Sequence, residues 1–118
     1  RTPCPMLKDE EIEMELDEVL DGSGNHRLFV RYGHSPDYCV VNWFVVIYFA
    51  KLGDHVEEIV KYDGKLGEAV HVHRLYVHPP VKRYLSKPLA WGTIEECILA
   101  IRENWVDYYL SYIKKKEL

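Results

Sequence analysis

Glutamine is absent from this chain, and asparagine occurs only as Asn25, Asn42 and Asn104. Scarce amides beside abundant Glu, Lys and Tyr match the pattern of heat-adapted proteins, so a thermophilic source is expected. Cysteine is scarce too. Cys4, Cys39 and Cys97 are an odd number, widely spaced and without a paired motif. That spacing excludes a cysteine zinc site and a disulfide framework, and leads to the expectation of a reducing, cytoplasmic setting. No apolar run reaches the roughly 20 residues that a membrane helix needs; the longest, from Cys39 to Ala50, is interrupted by Asn42. The first twenty residues are acidic rather than basic-then-apolar, which excludes the pattern of a secretory leader.

What is present suits one soluble domain: 118 residues, 47% of them hydrophobic, fall within the usual size and balance of a single globular unit. The net charge of −4 is unevenly spread. Eight acids crowd Lys8 to Asp21 against Lys8 alone, while the rest of the chain is mildly basic. Residues 1–21 are therefore read as an acidic arm or short helix, with Ile12, Leu16, Val19 and Leu20 at near-helical spacing. Residues 22–118 are read as a single α+β domain, entered through the turn signal Asp21-Gly22-Ser23-Gly24-Asn25.

Strand patterns follow. Arg27–Tyr32 alternates polar and apolar residues. Tyr38–Ala50 is apolar on both faces, as a central, covered strand would be, and is long enough to require a bend or bulge. His55–Tyr62 mixes signals, because Val56, Ile59 and Val60 also fit a helix; a strand is preferred. Asp63 to Gly67 reads as a five-residue hairpin loop leading into Ala69–His78, which Pro79-Pro80 ends. The last element is a helix: Ile94, Ile98, Ile101, Trp105, Tyr108 and Tyr112 form one stripe. Thr93 stands as its N-cap, and Lys114 to Lys116 complement its C-terminal end. The expected fold is a four-stranded antiparallel meander with the long C-terminal helix packed on one face.

The chemistry concentrates in Ala69–His78. Residues two apart on a strand share a face, so His71 and His73 stand together, and imidazole is the side chain suited to proton transfer near neutral pH. Joined by His55 or His78, the pair would instead make a metal site. No further ligand at telling spacing is visible, so no metal and no cofactor is assigned.

The Tyr62-Asp63 pair, the His71-x-His73 strand and the final helix opened by Thr93 and acids together resemble the TumE-like toxins of prokaryotic toxin–antitoxin pairs. The likeness runs from Tyr38 to the end. Gly64 stands where that family usually has Asn, and the acidic leader has no counterpart. The resemblance implies a toxin acting inside its own cell on RNA, with an antitoxin protein as partner. Metal-independent RNA cleavage needs a base, an acid and a cation for the phosphate. His71 and His73 would be base and acid, Asp63 would orient an imidazole, and Lys82, Arg83 and Lys87 would supply charge. Tyr62 or Tyr76 would stack on a base. A non-enzymatic interaction domain is the alternative, with the acidic arm or the sheet as its docking surface.

Overall fold

The computed structural model describes residues 10–74 and 81–116. Six strands form one antiparallel meander in chain order: β1 (Ile12–Val19), β2 (His26–His34), β3 (Val41–Leu52), β4 (His55–Lys65), β5 (Glu68–Arg74) and β6 (Val81–Tyr84). One helix, α1 (Trp91–Lys116), follows and packs on β2, β3 and β4. The α+β class, the antiparallel sheet and the closing helix agree with expectation; the strand number is six rather than four.

The additional strands have separate causes. β1 is the acidic stretch expected as an arm or short helix. Its apolar residues Ile12, Met14 and Leu16 alternate with Glu13, Glu15 and Asp17, a period of two that suits a strand. The like charges are tolerated because the neighbouring strand brings arginines opposite them: Glu13 pairs with Arg31 at 3.0 Å and Asp17 with Arg27 at 2.9 Å. β6 lies in a stretch with no alternation of its own, and pairs with β5 from His71↔Tyr84 to Arg74↔Val81.

β3 is the spine. Its residues Phe44, Val46, Tyr48 and Ala50 are buried under α1, against Leu28 and Val30 of β2 and Val60 of β4. The opposite side of β3 was expected to be covered as well, but no element lies over it among the described residues. Trp43, Val45 and Phe49 there are half-buried by flanking side chains, with Arg31 over Trp43 and Phe29 edge-on to Phe49. The irregularity expected in β3 lies near its start, where the pairing with β2 skips Asn42, and a second one falls on β4, where the pairing with Tyr48 and Phe49 skips Ile59. That bulge inverts the alternation of β4 and explains why Val56, Ile59 and Val60 mimic helical spacing.

The predicted stripe of α1 is the one that packs: Ile94, Ile101 and Tyr112 are buried, and Ile98, Trp105 and Tyr108 are partly so. Thr93 is not its cap. The amides of Thr93 and Ile94 both donate to the Ala90 carbonyl, so the helix starts two residues earlier and Thr93 is buried in its first turn. Cys97 on this helix is a free thiol, which burial pushes up to about 12. No described helix is long and apolar enough to cross a membrane.

Gly64 stands across from Phe44. A Cβ at Gly64 would meet Val70 Cγ2 at 3.0 Å and Phe44 Cε1 at 3.1 Å, both within the packed core. Gly64→Asn, which would complete the Tyr-Asp-Asn sequence of the toxin family, is therefore expected to destabilise the fold by roughly 1–3 kcal/mol through overpacking. Urea unfolding of the two proteins measures this; equal midpoints would show that the core has room at this point.

Candidate functional site

The β4–β5 hairpin is tighter than expected. β4 continues through Asp63 and Gly64 to Lys65, which pairs with Glu68, leaving Leu66 and Gly67 as the turn. Gly67 takes φ +81°, a conformation that costs glycine little. The ladder then shifts by one residue, so that Asp63 pairs with His71 and Lys61 with His73. On the other side of β5, Tyr84 lies opposite His71 and Lys82 opposite His73. Two rows thus cross three strands on the face away from α1: Asp63, His71, Tyr84 and Lys61, His73, Lys82.

His71 is 4% exposed. Its Nδ1 lies 3.0 Å from the Ala69 carbonyl; a carbonyl only accepts, so Nδ1 carries the proton and donates. Nε2 is turned to Asp63 and is in direct contact with Oδ1. That oxygen is itself buried. His73 is less buried; its Nε2 lies 3.6 Å from Asp63 Oδ2, and its ring stands edge-on to that of His71 at 4.6 Å. Burial lowers the His73 pKa from its ordinary value; the charge of Asp63 opposes this, while His71, Lys61 and Lys82 add to it. Lys61 Nζ is 3.7 Å from Asp63 Oδ2. Lys82 lies over the Tyr84 ring and 3.9 Å from Glu68. Beside the cluster runs an open trough of about 380 Å³, lined by Trp43, Val45, Ile47, Lys61 and Lys65 among others.

Of the residues expected at the site, His71, His73, Asp63 and Lys82 come together. The others do not. Tyr62 follows the alternation of β4 to the helix side, where its hydroxyl meets that of Tyr108 at 3.3 Å; burial and this contact push its pKa up. Arg83 and Lys87 line a separate groove with Tyr62, Glu96 and Cys97, and Lys87 pairs with Glu96 at 2.5 Å. His55 is at the far end of β4, between Asp54 and Glu57. Tyr76 and His78 lie outside the described residues. Lys61 and Tyr84 were missed. Cross-strand register would have found both, but it depends on the shift at Gly64 and on the return through residues 75–80.

The donor atoms of Asp63, His71 and His73 all lie within 4.8 Å of one another. Two imidazoles and a carboxylate are a ligand set for a divalent transition metal. The His71 Nδ1–carbonyl hydrogen bond is the outer contact that fixes a ligating imidazole with Nε2 inward. Bonds of about 2.0–2.2 Å in a tetrahedral site set donors roughly 3.3 Å apart. Asp63 must therefore withdraw from His71 when an ion enters between them, and its solvent-facing side leaves it room to do so. No protein-family model, curated protein or solved structure matches this chain.

Proposed function

We propose that this protein binds one divalent transition-metal ion through Asp63, His71 and His73, with its remaining coordination positions open to the trough beside β3. The observation that carries the reading is the buried contact between Asp63 Oδ1 and His71 Nε2. With Nδ1 donating to the Ala69 carbonyl, this contact needs a cation between Nε2 and Oδ1, either a proton, which makes it a His71+–Asp63− ion pair, or a metal ion. In this reading the metal ion supplies it, and the open positions would take water or an anionic oxygen ligand. Lys61 and Lys82 flank those positions and favour such an anion.

The test is a titration of metal-stripped protein with Co2+ or Zn2+, followed by calorimetry and the visible absorption of cobalt. One ion per chain is expected, and its occupancy should raise stability by roughly 2.7 kcal/mol at 100 times Kd. If a His71+–Asp63− ion pair is instead the whole explanation, no stoichiometric binding will be seen.

A second reading, a metal-independent ribonuclease of the toxin type, is favoured by one placement: His73 sits between Lys61 and Lys82 on an accessible face. In it His73 takes the 2′-hydroxyl proton, the lysines hold the phosphate, and water protonates the departing 5′-oxygen. His71, with both nitrogens engaged, orients Asp63 rather than meeting the RNA. Cleavage of RNA in excess chelator, lost in His73→Ala, would select this reading over the first.

A further inference from the structure

β1 is an edge strand. It pairs with β2 on one side, and no described strand occupies the other, so a row of backbone amides and carbonyls is presented there. Its two faces differ. Glu13, Glu15 and Asp17 point away from the helix, and Glu15 has no ion-pair partner among the described residues. Ile12, Met14 and Leu16 point to the helix side yet remain 38%, 46% and 43% exposed. There Met14 and Leu16 border a groove of about 360 Å³ that also reaches Tyr32, Trp91 and Ile98.

Arg102 reaches across to Glu18 of β1 at 2.6 Å, so the flank of the helix carrying Arg102 looks toward the edge. At about 100° per residue, Leu99, Val106 and Leu110 lie beyond Arg102 on the side of the helix turned away from the sheet, and all are at least 48% exposed. Charges alone would suffice to guard an edge against aggregation. Three large apolar side chains left beside it, Ile12, Met14 and Leu16, call for a covering partner.

We infer that β1 is a docking edge for an extended segment of another protein, one that alternates apolar and basic residues and adds to the sheet as a seventh strand. Strand addition uses the free backbone groups for affinity and alternate side chains for specificity. Apolar residues of the segment would enter the groove between β1 and α1, and its basic residues would meet Glu13, Glu15 and Asp17. A second copy of this chain does not fit. Two β1 strands paired about a two-fold axis at Glu15 would set Glu15 against Glu15 and Glu13 against Asp17, and like charges directly opposite are destabilising. A helix laid in the groove would leave the edge amides without partners.

The experiment uses the full chain and two fluorescent ten-residue peptides, one alternating Ile and Lys, the other alternating Ile and Glu. The Lys peptide is expected to bind, to slow amide exchange in residues 12–19, and to lose about tenfold in affinity against Glu15→Lys. The Glu peptide is expected not to bind. Met14→Asp, checked by its melting curve, should also weaken the Lys peptide without altering the fold. The inference is overturned if the Lys peptide fails to bind, binds Glu15→Lys equally well, or protects amides elsewhere. Concentration-dependent dimerisation that protects residues 12–19 would overturn it in favour of self-association.

Discussion

Replacing Phe44 by alanine is expected to destabilise this protein by about 3–5 kcal/mol, the range for removing a buried aromatic side chain. Phe44 is 1% exposed. It lies mid-sheet on the helix side of β3, between Tyr32 of β2 and Gly64 of β4. Gly64 offers no side chain to move into the space, so the cavity would close poorly, and the cost belongs at the upper end of the range. A domain of this size has a total stability of roughly 5–15 kcal/mol, so the variant would be close to unfolding at ordinary temperature. Urea denaturation measures it. A loss below about 1 kcal/mol would mean that β3 is not the centre of the core.

Removing a ligand of the proposed metal site should lower metal affinity by more than about 100-fold, since outer-sphere partners alone account for 10–100-fold. His73→Ala is the cleanest change, because its side chain keeps 23% exposure, more than that of His71, and its loss should leave the fold intact. Asp63→Asn keeps the shape of the side chain and removes the charge. It should likewise abolish tight binding. Lys61→Ala removes a neighbouring cation and should strengthen metal binding rather than weaken it. Calorimetric titration of the three variants against the parent distinguishes these outcomes. Parent-like affinity in both His73→Ala and Asp63→Asn would remove the site.

Some of this was legible in the sequence for identifiable reasons. α1 declares itself through a stripe repeated over 26 residues, and β2 through alternation. β1 was obscured because its charge pattern is explained only by Arg27 and Arg31, which stand on another strand. At the site, His71 and His73 follow from the alternation of one strand, and Asp63 was named for its chemistry. Ending β4 at Tyr62 hid the fact that Tyr62 and Asp63, as strand neighbours, must face opposite ways. Arg83 was misplaced for the same reason: the parity of β6 relative to β5 is not encoded in the local pattern of either strand.

Anomalous diffraction from crystals grown with Zn2+, recorded at the zinc edge, tests the central claim most directly. The account predicts one strong peak per chain on the sheet face away from α1, about 2.0–2.2 Å from Nε2 of His71, Nε2 of His73 and an oxygen of Asp63, with Asp63 Oδ1 drawn away from its contact with His71. Crystals without a peak at that position, with Asp63 still against His71, would contradict it.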